Sequence, residues 1–193
     1  MVRFCANVSM LFAEAPFLER FGRAREAGFE AVEFQFPYDF APDAIRAELD
    51  RHELELVLFN MPAGDFGAGD RGLANDPARV DDFRATLKTA MNYAAVLKPA
   101  KMNCMAGKLL ADVPEDQQRA TLIANLRDAA DQAAAKSILL VTEPLNRRSW
   151  SAGYRTVERI NSTVCIYTNQ PRRIAKYQTI QTGNTIPCSQ FQL

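Results

Sequence analysis

The sequence predicts an α/β fold, a partial barrel of about five parallel βα units with helices outside, and three observations carry that prediction. Strand-like apolar runs alternate with amphipathic helical stretches over most of the chain, with connections long enough for the crossovers that parallel strands require. Polar residues recur where the strands end, at Asn7, Glu33, Asn60, Asn103 and Glu143. That pattern suits a barrel whose strand ends converge on one mouth better than a doubly wound sheet with a single crevice, which stays open as the alternative. The chain has 193 residues, short for a complete eight-unit barrel at roughly 250.

The elements follow in order. Residues 4–10 read as the first strand, and residues 16–27 as a helix with Pro16 in its first turn and Gly28 just past its end. Residues 31–36 form the second strand, closed by Pro37, and residues 43–51 the second helix, with Ile45 and Leu49 four apart. Residues 54–60 are the third strand. The Gly-rich loop 62–72 is expected to be a mobile cover over the mouth. A helix from about residue 78 to 97 carries Val80, Phe83, Leu87, Met91 and Ala94 on one face. Residues 101–105 are the fourth strand, and Pro114 opens a helix running to about residue 136 with Leu122, Ile123, Leu126 and Ala130 as its stripe. The fifth strand is the apolar run Ile138-Leu139-Leu140-Val141, followed by Thr142, Glu143 and Pro144. Pro144 cannot donate to a ladder and helps end the strand, leaving Glu143 at the mouth. An acid there suits chemistry; it equally suits a glutamate that caps a helix or pairs with an arginine.

Charge and composition narrow the function. Lys and Arg number 23 and so do Asp and Glu, which gives no electrostatic case for nucleic acid or an anionic membrane as partner. No apolar signal core and no stretch long enough to span a bilayer is present, so a cytoplasmic location is expected. Cys5 and Cys104 fall in predicted buried strands, Cys165 and Cys188 in the tail, and none has the spacing of a zinc site; all four are expected to be reduced. His52, the one histidine, sits near the end of the second helix, where the helix dipole accounts for it. The available chemistry is therefore that of carboxylates, with a hard divalent cation that prefers oxygen ligands as an option. Glu33 and Glu143 are its candidates, although Glu33 also reads as a structural pair inside the barrel. Gly67-Ala68-Gly69-Asp70-Arg71-Gly72 matches the dinucleotide fingerprint, but no strand runs directly into it and no helix opens within it.

The segments Arg3-Phe4-Cys5-Ala6-Asn7-Val8-Ser9-Met10-Leu11-Phe12, Gly28-Phe29-Glu30-Ala31-Val32-Glu33-Phe34 and Phe36-Pro37-Tyr38-Asp39 occur in this order. After them come Asn60-Met61-Pro62-Ala63-Gly64-Asp65, Gly69-Asp70-Arg71-Gly72, Asn103-Cys104-Met105-Ala106-Gly107 and Glu143-Pro144-Leu145-Asn146. In these motifs the chain resembles bacterial hydroxypyruvate isomerases, which are xylose-isomerase-like TIM barrels; the 2-oxo-tetronate isomerases share most of them. The resemblance implies interconversion of hydroxypyruvate and tartronate semialdehyde, a step of glyoxylate metabolism, by carboxylate-mediated proton transfer through an enediolate. It marks Glu143 as catalytic and, in metal-bound members, as a metal ligand, with magnesium or manganese as the cofactor. Asn7, Glu33, Asn60 and Lys108 are the substrate-binding candidates, and the partner is a small hydroxy-oxo acid.

The resemblance stops after strand five. The family's later motifs, Tyr-Asp-x-Tyr-His, Gln-Ile-Ala-Asp and Gly-Glu-Ile-Asn with a second catalytic glutamate, do not occur, and residues 159–193 contain no Asp or Glu. Residues 1–154 are therefore expected to be the N-terminal part of the barrel domain, and 155–193 a divergent tail produced by truncation or a shifted reading frame. Three functional readings follow: an isomerase by descent, a catalytically inactive fragment, and a related sugar epimerase or phosphate-ester-cleaving member of the same barrel superfamily. Open strand edges are expected to drive homo-oligomers, with the β-prone residues 162–168 as a makeshift sixth strand.

Overall fold

The computed structural model describes residues 4–142. Within them lie five strands: β1 (Ala6–Asn7), β2 (Ala31–Phe34), β3 (Glu55–Asn60), β4 (Lys101–Asn103) and β5 (Leu139–Val141). They make one sheet in the order β1-β2-β3-β4-β5, and every pair is parallel. Each strand lies beside its sequence neighbours and the order never reverses. A doubly wound sheet reverses at its switch point; this arrangement is an arc of a barrel instead. Four helices alternate with the strands: α1 (Arg20–Glu26), entered through a 3-10 turn at Phe17–Glu19, α2 (Pro42–Arg51), α3 (Val80–Leu97), entered through a 3-10 turn at Pro77–Arg79, and α4 (Glu115–Ala134).

Register sorts the side chains into two faces. Phe34, Phe59, Met102 and Leu140 pair across neighbouring strands and are buried in the main apolar cluster. The adjacent row, Asn7, Glu33, Leu58, Lys101 and Leu139, is not counted among the buried residues. It belongs to the opposite face of the sheet, because successive strand residues alternate. Asn60, Asn103 and Val141 form the next row on that face, two residues toward the strand C-terminal ends.

Helix periodicity explains the helix-side layer. Ile45 and Leu49 of α2, then Phe83, Leu87, Ala90, Met91, Ala94 and Leu97 of α3, are buried. Each large side chain so placed stabilises the fold by about 1.5–3 kcal/mol. Helix α1 stops at Gly28, whose φ of +88° needs a residue without a Cβ penalty. Among the described residues no helix is long and apolar enough to cross a membrane.

Local chemistry shortens the first strand relative to the expected 4–10. The Asn7 side chain accepts a bond from the Ser9 N–H at 3.1 Å, and the Asn7 carbonyl accepts from the N–H groups of Met10 and Leu11 at 3.0 and 2.8 Å. An Asn that binds backbone two residues on turns the chain rather than extending it. Phe4 and Met10, expected inside a strand, are 75% and 70% exposed. Cys5 lies just before β1 and Cys104 just after β4; both are free thiols. Cys165, Cys188 and residues 162–168 lie outside the described residues.

Candidate active site

The C-terminal ends of β1 and β2 bring Asn7 and Glu33 together. The two are register partners, and the Asn7 amide donates to Glu33 Oε1 at 3.0 Å. The pairing of β2 with β3 shifts between Val32 and Glu33. A bulge of this kind re-aims the side chain that follows it, here the acid. Ser9, held by Asn7, reaches back to accept the Gln35 N–H on its hydroxyl at 2.8 Å. One asparagine thus sets the turn after β1 and the orientation of the Glu33 carboxylate.

At the ends of β3 and β4 the polar groups are buried and interlocked. Asn103 donates to the Asn60 side-chain oxygen at 3.1 Å, and the two are 2% and 8% exposed. The Asn60 carbonyl accepts the Tyr38 hydroxyl at 2.8 Å. Burial, with Tyr93 adding to it, pushes the Tyr38 phenol well above its ordinary range, so it acts as a neutral donor.

The loop after β3, expected to be a mobile cover, is tied down instead. Asp70 takes Arg79 Nη1 on both carboxylate oxygens at 2.9 Å and the Asp65 N–H at 2.8 Å. Beneath it Asn75, 1% exposed, donates to the Lys108 carbonyl at 2.5 Å and to Gln118 Oε1 at 3.2 Å. Gln118 of α4, fully buried, accepts the Leu110 N–H at 3.0 Å and donates to the carbonyls of Leu110 and Val113 at 2.9 and 2.6 Å. Asn125 donates to the Ala74 carbonyl at 2.9 Å. These amides bind the loops after β3 and β4 into one body against α4. Sequence reading passed over them, although Gln118 and Asn125 fall on the face of α4 that also buries Leu122, Leu126 and Ala129; a polar residue in an apolar stripe was the available signal. No helix opens within Gly67–Gly72; the next helical turn begins at Pro77.

The other candidates sort as follows. Lys108 is half-buried on the loop after β4, its backbone locked by Asn75. Glu143 lies outside the described residues. His52 follows α2, its Nε2 3.4 Å from Glu48 and its ring against Gly22, far from a catalytic arrangement in character. Burial, reinforced by Glu33 and Glu55 and opposed by Lys101, raises the Cys5 thiol to about 11; burial alone raises Cys104 to about 12. Neither is a ready nucleophile. Among the described residues no three His, Cys, Asp or Glu side chains gather as a metal shell. A hard cation wants several oxygens, so residues 4–142 do not fit one by themselves.

A family model described as Xylose isomerase-like TIM barrel matches residues 21–165. The chain is 46% identical over 146 residues to hydroxypyruvate isomerase of Escherichia coli, covering 76% of this chain and 57% of that protein. It is 42% identical over 165 residues to 2-oxo-tetronate isomerase of Cupriavidus necator, covering 86% of this chain and 64% of that one. It matches the crystal structure of AP endonuclease, family 2 from Brucella melitensis with a TM-score of 0.76 and 44% identity, covering 83% of this chain and 65% of that chain. The chain spans less than two thirds of the length of each.

Proposed function

Because the chain belongs to the xylose isomerase-like TIM-barrel family, we propose that it carries the N-terminal part of a hydroxypyruvate isomerase site, interconverting hydroxypyruvate and tartronate semialdehyde. The observation that carries this reading is the 46% identity to the Escherichia coli enzyme. The strand-end pair of Asn7 and Glu33 supplies a polar floor on which a small hydroxy-oxo acid can be oriented. A proton leaves C3, an enediolate spans C2 and C3, and a proton returns to C2, while the proton of the C3 hydroxyl passes to the oxygen on C2. Glu143 is the carboxylate that takes the first proton, and Asn7, Glu33, Asn60 and Lys108 hold the substrate. Magnesium or manganese, when bound, would stabilise the enediolate charge, with Glu143 among its ligands. The site would work in the cytoplasm, in glyoxylate metabolism. The 42% identity to the Cupriavidus necator enzyme favours a second reading, the same chemistry on a longer 2-oxo acid.

Enediolate chemistry uses one group to remove the proton and another to return it. The Gly-Glu-Ile-Asn motif to which the resemblance assigns the second carboxylate does not occur in residues 144–193, where the one acid is Glu158. Loss of a general acid or base costs about 10²–10⁴-fold, so the 193-residue chain is expected to bind hydroxypyruvate and turn it over at background rate. Heteronuclear NMR titration tests the binding: shifts should centre on Asn7, Glu33, Asn60 and Lys108, and their absence would remove the reading. Turnover with added magnesium or manganese, beside Glu143→Gln, tests the chemistry; robust turnover refutes inactivity, and turnover unchanged in the variant refutes the role of Glu143. Association is a further part of the reading. Among the described residues β1 and β5 each pair with one neighbour, and Phe4, Met10 and Leu11 beside β1 are exposed. Oligomers should appear by light scattering.

A further inference from the structure

Asn7 and Glu33 fix one another in a way that leaves one carboxylate oxygen without a partner. Asn7 Oδ1 accepts the Ser9 N–H at 3.1 Å, which settles the facing of the amide and turns its nitrogen to Glu33 Oε1 at 3.0 Å. The Glu33 carbonyl is taken as well, by the Val8 N–H at 2.9 Å. Among the described residues Glu33 Oε2 has no hydrogen-bond or ion-pair partner. Glu33 stands opposite Asn7 in the register of β1 with β2, on the face of the sheet away from the helices. The residue is part-exposed, so this oxygen is open rather than shut in. The carboxylate is therefore anchored at one oxygen by a neutral donor and presents the other to whatever occupies the strand ends.

A carboxylate accepts hydrogen bonds and has none to give. The hydroxypyruvate anion carries a single O–H, on C3, and its other oxygens are acceptors. Only the C3 hydroxyl can therefore bond to Glu33 Oε2, and like charge keeps the substrate carboxylate on the far side. We propose that Glu33 accepts the C3 hydroxyl, with Asn7 as the positioning residue that holds its carboxylate, and so makes the site select 3-hydroxy-2-oxo acids over 2-oxo acids without that hydroxyl. A site built to bond a hydroxyl rejects the analogue that lacks it, because the site's own polar group then goes without its partner. This rests on the hydroxy-oxo acid reading above and names the atom that reads the hydroxyl.

The test is NMR titration of the full chain with hydroxypyruvate and with pyruvate, which has the same three carbons and a methyl group in place of the hydroxymethyl. The wild-type chain should bind hydroxypyruvate about tenfold more tightly than pyruvate. Glu33→Gln keeps the shape and, through its amide oxygen, the bond from Asn7, but offers an N–H donor where Oε2 stood. Its affinity for hydroxypyruvate should fall about tenfold while that for pyruvate stays within about threefold, so that the preference disappears. Asn7→Asp still accepts the Ser9 N–H but sets a second carboxylate against Glu33, and it should lose the preference too, which a role in the turn alone would not cause. Free-state amide shifts away from each substituted residue should be conserved. If Glu33→Gln keeps the tenfold preference, or the wild type shows none, the proposal is wrong while the hydroxy-oxo acid reading stands. If Glu33→Gln loses both ligands alike or shifts the free-state spectrum broadly, Glu33 is a structural member and the proposal fails. If Asn7→Asp keeps the preference, Asn7 serves only the turn and its positioning role fails. If the wild type binds neither compound, both readings fail together.

Discussion

The rim of strand ends has two sides held in different ways. At β1 and β2, Glu33 is oriented by the Asn7 amide beside a shift of register, and both residues remain part-exposed. At β3 and β4, Asn60, Asn103, Asn75 and Gln118 are all buried and bonded to one another or to loop backbone. Buried amides left without partners cost about 1–3 kcal/mol each, so the second side is built for rigidity. The first side keeps a carboxylate near water with little structural duty. Polar residues at equivalent strand ends therefore serve different ends: the β3 and β4 side sets the shape of the rim, and the β1 and β2 side offers a group to a ligand.

Substitutions can break this contrast. Gln118→Leu should be the most damaging, since it strands Leu110, Val113 and Asn75 groups together; a loss of about 4 kcal/mol in urea unfolding is expected. A loss below about 1 kcal/mol would mean that the clasp is not what holds the two loops. Gly72→Ala comes next, at about 3 kcal/mol, because a positive φ and the Met105 carbonyl both oppose a Cβ. Its crystal structure should show the loops after β3 and β4 pushed apart. Asn7→Ala removes the turn bond to Ser9 and the bond to Glu33, and thermal unfolding should record about 1 kcal/mol. Glu33→Gln should be the mildest for stability, within about 0.5 kcal/mol of wild type, while hydroxypyruvate affinity falls about tenfold. If Glu33→Gln instead destabilises as much as Gln118→Leu, Glu33 is a structural member and the two sides do not differ.

Much of this was legible in the sequence because it depends on short-range pattern. The four-residue spacing of Ile45 and Leu49 and the run of Phe83, Leu87, Met91 and Ala94 anticipate the faces that are buried. The alternation of strands and helices anticipates a parallel sheet, and the polar residues at 7, 33, 60 and 103 do stand at strand ends. Three features were not legible. The brevity of β1 hinges on which partner Asn7 chooses, the turn or the ladder, and propensity alone does not decide that competition. The order of the Gly-rich loop hinges on contacts such as Asn75 with Gln118, which are 43 residues apart. The burial of Gln118 and Asn125 hinges on what α4 packs against.

By itself, then, the sequence determined the succession of elements, the apolar face of each helix and the positions of the polar strand ends. These follow from side-chain periodicity and from proline and glycine chemistry acting over a few residues. The tertiary structure alone decided that the strands run in unbroken order, that the loops after β3 and β4 form one rigid piece, and that Arg71 is fixed over Phe66. Each of these requires groups distant in the chain to satisfy one another's hydrogen bonds and fill one another's space, and no local window of sequence contains both partners.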